Sequence, residues 1–193
     1  MAWKSILGIV LLSSSMANAQ SKWTIVPVHE IDYQQRVGSA KLSPGQNQNL
    51  HAVLADILNK CTDYKGFDKI SAYNNMRIEL VPLDSNNNGY AVQGMGSCMC
   101  GATGNCSFWL FDSRMHLLLH DGAQGFAVLS QNALGMQGLM LSLHDSATES
   151  ERTLFHFDGK RYVRRACANV DYSPNPARIQ KHPTITLQPC AAK

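Results

Sequence analysis

The sequence predicts an α+β fold: an antiparallel β-meander with one main N-terminal α-helix packed on the sheet, stabilised by disulfides. Three observations predict it. One stretch, Leu50 to Cys61, has apolar residues at helical spacing. After it the apolar period changes to two and stays there through a series of short runs. The connections between those runs are short and rich in Gly, Asn, Asp and Ser, which suits antiparallel neighbours, because parallel strands need crossovers of about a dozen residues or more.

The chain opens MAWKSILGIVLLSSSMANAQ. Lys4, the apolar run Ile6 to Leu12 and the small-residue site Ala17-Asn18-Ala19 occur in the order of a secretory signal peptide cut before Gln20. The run is too short for a membrane span, which needs about 20 residues. Residues 1–19 are therefore expected to be a signal peptide. Residues 20–193 are expected to form a single exported α+β domain, periplasmic or extracellular, with an irregular tail from about residue 168. No later stretch reads as a membrane span. The formal charge of the whole chain, +3, is too small to point to nucleic acid.

Trp23 to Val28 is β-prone and interrupted by Pro27, and residues 31–45 are polar. The helix starts at Ser43 as N-cap, with Pro44 at the first position and Gln46 completing a capping box. Leu50, Val53, Leu54, Ile57, Leu58 and Cys61 make one apolar stripe. Asn47, Gln48, Asp56 and Lys60 take much of the other face. Strand runs follow: RIELVPL, GYAVQG, SFWLF, MHLLL, FAVLS and GLMLSL. SFWLF is apolar on both faces, Phe108 and Leu110 against Trp109 and Phe111, as expected of a strand covered twice. TLFHFDGKRYVRRAC reads as a hairpin turning at Asp158-Gly159. That turn would set Phe155 opposite Tyr162, Leu154 opposite Val163 and His156 opposite Arg161.

CMCGATGNC packs three cysteines into one loop. The spacing is not that of paired zinc ligands, no histidine lies in the loop, and C-x-x-C is absent. In an exported chain an even number of cysteines reads as disulfides. Cys61, Cys98, Cys100, Cys106, Cys167 and Cys190 are all assigned to bridges. Cys167 is expected to meet Cys190, and Cys106 to meet Cys98 or Cys100. The loop cysteine left over should reach Cys61. Gly101 and Gly104 suit a tight loop that needs positive φ.

Asp84, Asn86, Asn88 and Gly89 fit the first positions of a calcium loop. The position for its bidentate glutamate is Met95, so a weak calcium site is set against an Asn-rich turn. His116 and His120 are too far apart on a strand, about 13 Å, to share an ion. Nucleophile-elbow, P-loop and dinucleotide fingerprints are missing. Asn105-Cys106-Ser107 is formally a glycosylation sequon.

Cys61, LDSNNNGY, CGATGNCSFWLF and FHFDGKRY follow one another in an order that resembles a group of small exported bacterial proteins. Their shared marks are a Cys-Gly-rich loop before an aromatic strand and an F-D-G-x-x-Y hairpin. The resemblance implies export, a β-rich fold and disulfides, and it transfers no activity.

No cofactor is called for beyond the weak calcium site. The reading is a non-catalytic secreted or periplasmic binding protein, inhibitor- or immunity-like, whose partner is a protein or an anionic envelope polymer. Its candidate contact residues are Arg161 and Arg165, in a basic stretch with Lys160 and Arg164. The rival is a secreted hydrolase assembled from His116, His120, His144 and Asp145.

Overall fold

The computed structural model describes residues 40–61, 68–146, 149–171 and Cys190. The expected signal peptide, the Trp23 to Val28 run and most of the expected tail lie outside the described residues.

The helix forms where its capping signals lie. Helix α1 spans Pro44–Lys60. The Ser43 hydroxyl accepts from the Gln46 N–H at 3.3 Å, and the Gln46 side chain accepts from the Ser43 N–H at 2.9 Å. Gln46 Nε2 also donates to Tyr90 Oη at 3.0 Å and to the Ser113 carbonyl at 3.1 Å, so the same residue that caps the helix seats it on the sheet. A short second helix, α2 (Lys69–Asn74), was not read from the sequence. Its signal is Asp68, whose carboxylate accepts from the N–H groups of Ile70 and Ser71.

Among the described residues eight strands follow in up-and-down order: β1 (Arg77–Pro82), β2 (Asn88–Gln93), β3 (Cys106–Phe111), β4 (Leu117–Ala123), β5 (Gly125–Ala133), β6 (Met136–His144), β7 (Glu149–Phe157) and β8 (Tyr162–Asp171). All pairings are antiparallel between sequence neighbours. The meander divides into two sheets, β1-β2-β3-β4 (sheet A) and β5-β6-β7-β8 (sheet B). The division falls at Gln124. There the buried Gln93 side chain donates to the carbonyls of Ala123 and Gln124, both at 3.1 Å.

Sheet A is the middle layer of three. Its β3 strand alternates as expected. Phe108 and Leu110 join Leu139, Leu141 and Phe155 in a core between the sheets. Trp109 and Phe111 join Leu50, Leu54 and Leu58 under the helix. The Phe108 and Phe126 rings meet across the sheet interface, 5.2 Å between centroids. Val53, expected on the sheet, is 37% exposed. The buried seam runs through Leu50, Leu54 and Leu58, and Val53 lies at the edge of the apolar stripe.

Gly89 is needed for strand packing. A Cβ there would strike the Phe111 carbonyl and the Leu83 side chain, so this glycine lets β2 approach the neighbouring backbone. Strand β8 runs to Asp171, past the point near residue 168 where the irregular tail was expected to start. Among the described residues no helix is long and apolar enough to cross a membrane.

The helix seam yields a direct expectation. Leu54 is fully buried between α1 and sheet A. Leu54→Ala should cost about 2–5 kcal/mol in urea-melt stability, the usual range for a buried leucine. A loss below about 0.5 kcal/mol would show that the seam is not core.

Candidate functional site

The cysteines pair as Cys61–Cys98, Cys100–Cys106 and Cys167–Cys190, and none is free. The alternative left open for Cys106 is settled toward Cys100. Cys100 and Cys106 are also β-bridge partners, so the bridge closes a small loop at the start of β3. The first bridge ties the end of α1 to this loop and buries Cys61. With every sulfur in a disulfide, the loop holds no thiolate for metal, nucleophilic or redox chemistry. Gly104 takes positive φ (79°), as the loop requires; Gly101 does not.

The loop is fixed from outside by Asn105. Its Oδ1 accepts from the His144 N–H at 2.8 Å, and its Nδ2 donates to the His144 carbonyl at 2.7 Å. One side-chain amide thus copies a backbone rung and joins the loop to the end of β6. This use occupies the nitrogen that the sequon would modify.

The histidines of the rival hydrolase reading stand in separate surroundings. His116 Nδ1 pairs with Asp112 Oδ2 at 2.8 Å in the β3–β4 turn. His120 lies flat on Trp109, with 5.2 Å between ring centroids and planes within 5°. Loss of solvation holds the His120 pKa below its ordinary 6.5, against the Asp121 charge, which pulls it up. His144 Nδ1 meets Gln124 Nε2 at 3.2 Å. Among the described residues no three His, Cys, Asp or Glu side chains come together as a metal site.

The calcium-like segment folds as a carboxylate-capped turn. Asp84 Oδ1 accepts from the N–H groups of Asn86 and Asn87, both at 2.7 Å, and Oδ2 accepts from Asn87 Nδ2 at 2.8 Å. Asn88 is the first residue of β2, opposite Pro82. The Asn87 side chain and the turn's N–H groups hold the Asp84 carboxyl below its ordinary pKa. The turn also borders the sandwich interior. Tyr162 is buried and donates to the Gln137 carbonyl at 2.8 Å. Burial, with the Asp84 charge adding to it, pushes its pKa up to about 12.

The basic hairpin differs from its expected form. Phe157 pairs with Tyr162, His156 with Val163 and Phe155 with Arg164, two residues from the expected register. Asp158-Gly159 does not make a two-residue turn. Asp158 caps a four-residue loop: its Oδ1 accepts from Lys160 N–H and Arg161 N–H, each at 2.9 Å, and its backbone N–H donates to the Arg161 carbonyl at 3.0 Å. A shift of two keeps each side chain on its face, so Phe155 and Tyr162 still point inward. The cations, however, separate. Arg161 is at the exposed tip. Arg164 turns between the sheets, where its Nη2 reaches Asp121 Oδ2 at 2.5 Å. Arg165 falls where the register shifts, exposed but with an interaction of its own. Arg161 and Arg165 therefore do not share one face by strand alternation.

The residue that the sequence reading passed over is Leu134. It precedes Gly135 in the β5–β6 turn, takes φ 55° and is 75% exposed. Its Cδ1 lies 3.8 Å from where a Cβ on Gly159 would be, so the two hairpin tips adjoin. The signal was a leucine beside a glycine at a hairpin turn, where Asn is the usual companion. Leu134, Lys160 and Arg161 make an exposed edge with both apolar and cationic character.

No protein-family model matches the chain, no curated protein matches it, and no solved structure matches it.

The Asp84 turn gives a test with a defined sign. Because its folded pKa is depressed from 3.8, its contribution is present above that value and is lost as pH falls through the folded pKa. Asp84→Ala should lower the melting temperature at pH 7 in calcium-free buffer, and the gap to the parent should narrow as pH falls below 3.8. A gap that appears only when calcium is added would show that the carboxylate serves a cation instead.

Proposed function

We propose that the chain is an exported, non-catalytic binding protein that docks an acidic protein surface against the adjoining tips of β5–β6 and β7–β8. The observation that carries this reading is Leu134. A leucine in the left-handed region costs about 1 kcal/mol, and at 75% exposure it recovers little by packing. Such a cost, held at a turn tip, is what a contact residue would show. Lys160 and Arg161 stand exposed on the neighbouring loop, where they would speed encounter with negative charge and make binding salt-sensitive. The Asp158-capped loop supports the reading further, since a rigid tip loses less entropy on binding.

Three variants test it: Leu134→Asn, Arg161→Glu and the pair together. Leu134→Asn should stabilise the fold by about 1 kcal/mol and weaken capture of partners from the envelope fraction of the source cell. Arg161→Glu should weaken capture at low salt more than at moderate salt. Recovery of the same proteins by the folded double variant would remove these tips from function. Recovery of polysaccharide in place of protein would replace the acidic protein by an anionic polymer.

A further inference from the structure

Each sheet ends in two edge strands, and an edge strand offers unpaired N–H and C=O groups to any passing chain unless something guards it. Three of the four edges are guarded. Strand β1 carries Arg77, Glu79 and Pro82, and the Ala40 N–H already donates to its Ile78 carbonyl at 3.1 Å. Strand β4 carries Asp121, paired with Arg164. Strand β8 carries Arg164 and Arg165. Strand β5 reads GFAVLSQNA and holds no charged residue and no proline. Among the described residues no strand pairs with its outer edge.

From this we infer that β5 is a self-association edge and that its occupant is β5 of a second copy, running antiparallel about a twofold axis at Ala127. The register with β6 is unbroken from Gly125 to Leu129 and shifts beyond it, so this five-residue stretch is the straight part of the edge and Ala127 is its centre. A twofold axis sets each residue against a fixed mate. Ala127 meets its own copy, Phe126 meets Val128, and Gly125 meets Leu129. An aromatic against a β-branched residue is a favourable cross-strand pair.

The ladder alternation supports the same axis. Counting from the Ala133–Met136 pair that closes the turn, Ala127 points its backbone groups toward β6, while Phe126 and Val128 point theirs outward. Ala127 would then sit in a non-hydrogen-bonded pair, where Cα atoms approach to about 4.5 Å and a small side chain fits. Charge also selects self-pairing. A symmetric strand pair brings like charges together, which the other edges would suffer and this one does not. The result is one continuous sheet formed from the sheet B of each copy. The inference is independent of the tip surface proposed above.

Sedimentation velocity of the mature protein, from low micromolar to several hundred micromolar, should show a reversible monomer–dimer equilibrium. Leu129 is half-buried on the outer face of sheet B. Leu129→Lys, folded by circular dichroism, should raise the dimer dissociation constant about tenfold, since each dimer carries the change twice. In the unaltered chain, amide exchange at Phe126 and Val128 should slow as concentration rises, and this measurement decides if the variant does not fold. A monomer throughout would overturn the inference. So would a dimer whose formation leaves those two amides unprotected, or a chain that stays monomeric alone yet binds an extended peptide along β5.

Discussion

The structure depends on β3 having no face it can turn to water. Phe108, Trp109, Leu110 and Phe111 are each no more than 1% exposed. Strand geometry sends alternate side chains to opposite sides, so sheet A must be covered twice. The helix supplies one cover and sheet B the other. Burying each of these side chains is worth roughly 1.5–3 kcal/mol, and both covers are needed to collect it. Gly89 belongs to the same constraint, because its missing Cβ leaves room for the Phe111 carbonyl.

Apolar burial is not directional, so it does not set how the layers sit on one another. Polar contacts at the margins do that. Gln93 holds the point where the chain leaves one sheet for the other. Asp121 and Arg164 join the edge strands β4 and β8. Asn105 ties the cysteine loop to β6. Each is a group that would cost free energy if shielded from water without a partner, so each favours one alignment over its neighbours. The disulfides act on the unfolded chain as well. In the chain-entropy model a loop of 37 residues, as between Cys61 and Cys98, is worth about 4 kcal/mol, and one of 6, as between Cys100 and Cys106, about 2 kcal/mol.

Local chemistry was legible in the sequence, and long-range choices were not. Ser43, Pro44 and Gln46 act within one turn of chain, and the helix begins where they place it. The doubly apolar SFWLF run identified the middle strand, because period and burial are read from the same residues. The split into two sheets was hidden, since it rests on Gln93 meeting Ala123 and Gln124 from about thirty residues away in sequence. The hairpin register was missed for a different reason. Asp-Gly allows a two-residue turn, but Asp158 instead caps the N–H groups of Lys160 and Arg161, and the loop grows by two residues. At the candidate surface, Arg161 was legible as an exposed cation. Arg164 was not separable from it until Asp121 came alongside. Leu134 left almost no signal, because an apolar residue in a strand-rich stretch ordinarily reads as core.

A fold built around a doubly covered strand has a rigid middle and exposed hairpin ends, so both surfaces proposed for binding, the Leu134 tips and the β5 edge, lie at its margins. This division of stability is open to direct measurement. Native-state amide hydrogen exchange, followed with increasing denaturant, ranks the segments by the free energy at which they open. The amides of Phe108 to Phe111 should exchange only through global unfolding, with a denaturant slope equal to that of the equilibrium melt, while the β5 edge and the loop at Asp158 open at lower cost. Exchange of the β3 amides through a smaller, local opening, with sheet B more protected than sheet A, would contradict β3 as the strand on which the three layers depend.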